Sequence, residues 1–281
     1  MLVSVVLLFS CERESDFMAL GEMRIVVEGW IDEGDVARVI LSRSVPISEL
    51  VDSSNFLEYA IRSAMVVVSD GTINDTLDLR RASYHLPPFM YVGNRIIGRA
   101  GGTYTLTIYY FCLTSFRPIT LTAETTIPES VPIQNVRYVR QNPTDTTGSL
   151  VVEFTHPEGQ QKYYQIATMV RHFDEVFVPS MYGNLSSRSF TSPDVEVTVM
   201  RGVSIFPRAS FALYFNDGDE ILVRLRTMPR KSFDFWNAWQ NEIINARNAI
   251  FPANRSLPSN INGGVGIWSG YGQSTLRIIA E

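Results

Sequence analysis

Cysteine and histidine are scarce in this sequence, and several familiar chemistries are scarce with them. Only two cysteines, Cys11 and Cys112, occur in 281 residues, too few for a disulfide framework. One lies beside a charged N-terminal stretch and the other ends an apolar alternation, so the two are not expected to pair. The three histidines are His85, His156 and His172. No two of them have the i, i+4 spacing of a helical zinc motif, and each is expected in a loop or on a strand surface. Positive charge is not in excess: 24 Lys and Arg stand against 29 Asp and Glu, for a formal net charge of −5. The sequence has no long basic run and lacks the electrostatic footprint of a nucleic-acid binder. A Gly-x-Ser-x-Gly nucleophile elbow is also absent, and Cys112 lies on an apolar strand face where a reactive thiolate is not expected.

What is present is apolar, β-prone and long. At 45% hydrophobic and 19% charged, the chain can bury a large core, and its length accommodates two ordinary domains. Residues Met1 to Ser10 are nearly all apolar. The run is too short to span a bilayer but suits the h-region of an export signal. Leu8-Phe9-Ser10-Cys11 resembles the lipobox of bacterial lipoproteins, which makes Cys11 the expected lipid attachment residue. No basic residue precedes the run, a departure from an ordinary signal peptide. Glu12-Arg13-Glu14-Ser15-Asp16 follows at once and suits a solvated tether, so residues 1–21 are assigned to signal and tether.

Beyond the tether, short alternating segments separated by turn signals predict strands. Arg24 to Ile31 and Val36 to Ser42 flank the turn Asp32-Glu33-Gly34-Asp35. A short helix or loop is expected around Ile47 to Val51, with further strands at 64–69 and 76–79. Thr103 to Cys112 carries Tyr104, Leu106, Ile108, Tyr110 and Cys112 on one face. The two prolines of Thr125 to Pro132 mark the expected linker. Strands are then predicted at 150–154, 163–170, 195–199 and 220–226, the last entered through the turn Asn216-Asp217-Gly218-Asp219. Ser232 is the expected N-cap of a single helix at about 233–249, whose stripe of Trp236, Trp239, Ile243, Ala246 and Ile250 should pack on the second sheet. The expected fold is mainly β: two β-sandwich domains of immunoglobulin or fibronectin type, 22–130 and 131–281, with one helix near the C-terminus.

The segment Asn262-Gly263-Gly264-Val265-Gly266-Ile267-Trp268-Ser269-Gly270-Tyr271-Gly272 needs separate attention. Its spacing does not fit a dinucleotide fingerprint, no Gly-Lys-Ser/Thr follows, and the next residues read as strand rather than helix. Nucleotide binding by this segment is therefore rejected. The expected element is a bulged strand that closes the second domain. The first acidic turn lacks the oxygen series of a calcium loop and is expected to be solvated, and at Asp217 and Asp219 a hairpin turn is expected ahead of the alternative of a metal site. No catalytic residue, metal or cofactor is assigned.

Several segments together resemble one family, DUF4249: Val27-Glu28-Gly29-Trp30-Ile31-Asp32, Val67-Val68-Ser69-Asp70-Gly71, Arg99-Ala100-Gly101-Gly102-Thr103-Tyr104-Thr105-Leu106, Thr125-Thr126-Ile127-Pro128, and Asn260 to Trp268. The resemblance runs from about residue 24 to the end. It implies a lipoprotein of the Bacteroidetes outer membrane, often encoded beside a TonB-dependent receptor, and supplies no site residues. The expected function is therefore non-enzymatic: a protein anchored in membrane lipid through acylated Cys11 that assists such a receptor in capturing or taking up a nutrient at the cell surface.

 That protein is expected to face the cell exterior. A second reading is a stand-alone glycan-binding or adhesion module, with exposed Trp30, Trp268 and Tyr271 stacking on sugar rings; the same rings could instead be packing in the core. A third is a β-sandwich hydrolase, which would need paired carboxylates in a cleft.

Overall fold

The computed structural model describes residues 24–45, 56–85, 87–112, 116–202, 213–245 and 257–281. Cys11, the tether, the segment expected around Ile47 to Val51, and the helix positions Ala246 and Ile250 lie outside the described residues. The chain is mainly β with one α-helix near its C-terminus. In order come β1 (Ile25–Asp32), β2 (Val36–Arg43), β3 (Met65–Ser69), β4 (Asn74–Thr76), β5 (Asp78–Arg81), β6 (Phe89–Ile97), β7 (Thr103–Cys112) and β8 (Arg117–Thr126). They are followed by β9 (Asn135–Arg140), β10 (Thr147–Thr155), β11 (Tyr163–Val170), β12 (Val178–Ser186), β13 (Asp194–Val199), β14 (Phe215–Asn216), β15 (Glu220–Met228), α1 (Arg230–Asn245) and β16 (Val265–Ile279).

One sheet runs through the whole molecule. Its eight strands lie in the order β12-β11-β15-β16-β1-β2-β6-β5, and two four-stranded sheets accompany it, β4-β3-β7-β8 and a second built on β9, β10, β13 and β14. Alternation along β1 sends Val27 and Ile31 into a core shared with Val66, Leu106, Ile108 and Leu121 of the first small sheet. Alternation along β15 sends Ile221, Val223 and Leu225 into a second core with Leu150, Val152 and Val199 of the other small sheet. Each small sheet thus makes a sandwich with one half of the long sheet.

The glycine-rich strand joins the two halves. Its first part, Val265 to Tyr271, pairs in parallel with Val26 to Asp32 of β1. Its second part, Gly272 to Ile279, pairs antiparallel with Thr227 to Glu220 of β15. The strand expected to close the second domain is therefore shared, and Ile261 and Trp268 belong to the first core. The segment expected as a linker is extended but is not a free spacer, because Ile127 and Val131 are buried. It crosses β16 where side chains are missing. A Cβ on Gly270 would stand 2.9 Å from the Ile127 amide nitrogen, and one on Gly272 would stand 2.8 Å from that of Ser130. The Gly270 amide donates to Thr125 Oγ1 at 2.8 Å, and the Ile133 amide donates to Ser274 Oγ at 3.0 Å.

Other local expectations change for identifiable reasons. The strand expected at 76–79 is split: β4 pairs with β3 and β5 with β6, so the chain changes sheets at the buried Leu77. The helix begins at Arg230, and Ser232 lies inside it rather than at its cap. Its buried hydroxyl accepts a 2.6 Å hydrogen bond from Ser269 Oγ, which ties the helix to β16. Phe235 is buried beside it, while the Trp236 and Trp239 rings meet edge to face at 5.6 Å. His156, expected at the surface, is buried, with Nδ1 2.7 Å from the Tyr164 hydroxyl.

Candidate functional site

Both cores occupy the same face of the long sheet, so the alternate residues of β1, β15 and β16 point the other way. On that opposite face β1 carries Glu28, Trp30 and Asp32, β15 carries Arg224 and Arg226, and β16 carries Ser269, Tyr271 and Gln273. Register brings them together: Asp32 is opposite Tyr271, and Gln273 is opposite Arg226. The β1–β2 turn therefore ends beside the two arginines, with β16 between them.

The contacts at this seam are specific. Arg226 Nη2 donates to Asp32 Oδ2 at 3.1 Å, in an ion pair whose side chains are 16% and 5% exposed. The same guanidinium lies 4.4 Å above the Tyr271 ring, and the Tyr271 hydroxyl accepts from Trp236 Nε1 at 2.7 Å. The Glu33 amide donates to the Tyr271 carbonyl at 2.7 Å, and Gln273 Nε2 donates to the Glu33 carbonyl at 3.2 Å. Arg38 is paired with Asp35 at 2.7 Å. Arg224 lies 3.6 Å over the Phe177 ring.

Against this well-bonded background, four buried atoms of the seam have no hydrogen-bond partner among the described residues: Asp32 Oδ1, Arg224 Nε, Arg226 Nε and Gln273 Oε1. Each unmade bond of this kind costs about 1–3 kcal/mol. Their concentration along one seam marks it as the candidate polar site. It offers both acceptors and donors, so it suits a ligand that carries both.

Burial, with Arg226 next, pulls the Arg224 pKa down to about 10, and Asp32 and Asp35 oppose that pull. The side chain remains cationic at neutral pH. Burial pushes the Asp35 carboxyl up, but the Arg38 hydrogen bond and the Val36 amide outweigh it and hold the group low. Glu28 keeps solvent access, yet the surrounding protein raises its carboxyl pKa, with Arg226 acting in the opposite sense. His85, whose ring is 5.9 Å from that of Trp30, is lowered by burial and then by Arg38.

The three expected ligand-stacking rings separate. Trp268 is fully buried on the core side and donates from Nε1 to the Tyr104 carbonyl at 2.9 Å. Tyr271 is on the seam face but only 2% exposed, covered by Arg226 and α1. Trp30 alone is half-buried. Trp268 and Tyr271 therefore have no open face for a sugar ring. The seam residues missed by sequence reasoning are Asp32, Arg224, Arg226 and Gln273. A signal for two of them was present in Ile221-Leu222-Val223-Arg224-Leu225-Arg226, whose alternation puts both arginines on one face.

The acidic turn at Asn216 to Asp219 is occupied by protein groups. Asp217 accepts from Tyr138 at 2.8 Å and Arg140 at 2.9 Å, and Asp219 accepts from the Asn216 amide at 2.8 Å. Among the described residues no group of three or more His, Cys, Asp or Glu side chains is arranged to hold a metal ion. No curated protein matches the chain. The family described as Domain of unknown function (DUF4249) matches residues 12–277, nearly the whole length. The first core, the seam and all but the last residues of the shared strand and of the second core fall within that match, and the chain belongs to the DUF4249 family.

Proposed function

We propose that this protein is a lipid-anchored outer-membrane capture protein that assists a TonB-dependent receptor in taking up a small polar nutrient, without catalysis. The observation that carries the capture role is the cluster of four buried polar atoms at the seam that have no partner among the described residues. A rigid sheet holds these groups in place, and preorganised groups lose little freedom on binding. The apolar N-terminal run followed by Cys11 supports the anchor, and the family resemblance supports the receptor and the outward orientation.

The test is purification of the intact protein from native membranes. An outer-membrane β-barrel receptor is expected to copurify, and Cys11→Ser is expected to move the protein to the soluble fraction. Recovery without any β-barrel would overturn the receptor role, and an unchanged membrane association of Cys11→Ser would overturn the anchor.

A further inference from the structure

We propose that the seam binds a small bipolar solute, one carrying a carboxylate beside a hydroxyl or ammonium donor. Arg224 takes the carboxylate, and Asp32 takes the donor. This inference rests on the reading of the seam as the capture site.

The Arg224 guanidinium has neither a hydrogen bond nor an ion pair with the described residues, although its Nε is buried. Its face lies 3.6 Å over Phe177, which holds the planar fork in one orientation. Such a fork matches a carboxylate with two parallel hydrogen bonds. The acceptor faces a different need. Asp32 is 3% exposed; its Oδ2 is bonded to Arg226, but its Oδ1 has no donor among the described residues.

Charge narrows the class further. Arg38, Arg224 and Arg226 stand against Glu28, Asp32 and Asp35, so the seam has no strong excess of either sign. A multivalent anion such as phosphate would meet three carboxyl groups, and a simple cation would meet three guanidinium groups. A neutral sugar would fill hydrogen bonds but leave Arg224 without a counter-charge. Arg224 and Arg226 are two residues apart on one strand face, about 7 Å, and Arg226 touches Asp32. The free groups thus fall within reach of one solute of amino-acid or sugar-acid size.

The test is calorimetric titration of the purified protein with L-serine, gluconate, glucose and acetate. Binding of serine or gluconate at least tenfold tighter than of glucose and acetate is expected, with a tenfold or greater loss in Arg224→Gln and a smaller loss in Arg224→Lys. Preference for serine identifies the amino-acid source of the shared chemistry, and preference for gluconate the sugar-acid source. Should Arg224→Gln not fold, the Arg224 Nε–H resonance of the wild-type protein gives the same information, since it shifts only when that group is engaged. Glucose binding that ignores Arg224→Gln, or acetate binding as tight as the best probe, would overturn the ligand class while leaving a capture site. If no probe binds, the seam holds water alone, and both the ligand class and the capture reading fall.

Discussion

The indole of Trp268 fills the notch left by Gly29 across the parallel pair of β1 and β16. The two residues are in register, and a Cβ on Gly29 would stand 2.8 Å from Trp268 Cε3. A residue near the start of the chain and one near its end are thereby locked into the first core. The contact explains why an aromatic ring can sit in the closely spaced strands of a glycine-rich segment.

Overpacking this contact should destabilise the whole molecule. Gly29→Val is expected to cost about 1–3 kcal/mol. Gly264→Val should act likewise, since its Cβ would overlap Leu121 and lie 2.9 Å from the Ile25 carbonyl oxygen. Chemical denaturation measures both, and an unchanged midpoint for either variant would show that the strands can separate without penalty.

Removing one partner of the Asp32–Arg226 pair should cost more than removing both. Asp32→Ala leaves a largely buried guanidinium uncompensated, a change of about 3–5 kcal/mol. Adding Arg226→Met to that variant is expected to restore part of the loss. A double-mutant cycle gives the coupling directly, and purely additive effects would contradict it.

Asp75 should be a structural carboxylate. It is fully buried, and its Oδ2 accepts from the amides of Asn94 at 3.0 Å, Arg95 at 2.8 Å and Ile96 at 3.1 Å. Asp75→Ala strands three donors in β6, at about 1–3 kcal/mol for each one left unsatisfied. Hydrogen exchange at those three amides should accelerate; unchanged protection would mean that β6 does not depend on the carboxylate.

His85 should make stability depend on pH in the mildly acidic range. Burial and Arg38 lower its pKa in the folded protein below the usual 6.5. Between the lowered value and 6.5 the unfolded chain binds more protons, so stability rises with pH there. The contribution is complete above about pH 6.5 and is lost as pH falls through the folded value. His85→Gln should flatten that part of the profile, and identical slopes for variant and wild type would refute the assignment.

Sequence alone determined the fold class, the positions of many strands and the family. Alternation in Thr103 to Cys112 and in β15 is local, because successive side chains of a strand point to opposite faces whatever lies across from them. The same patterns could not reveal that one sheet passes through both halves, since strand partners distant in sequence leave no local mark. Nor could they show that Trp268 faces the core while Asp32 meets Arg226 across the seam. Asp32 reads as a solvated turn residue in the sequence, and only the parallel pairing of β1 with β16 brings it to the arginines of β15. The tertiary structure decided the candidate site because its charges are supplied by segments almost two hundred residues apart, joined by a strand that belongs to both cores.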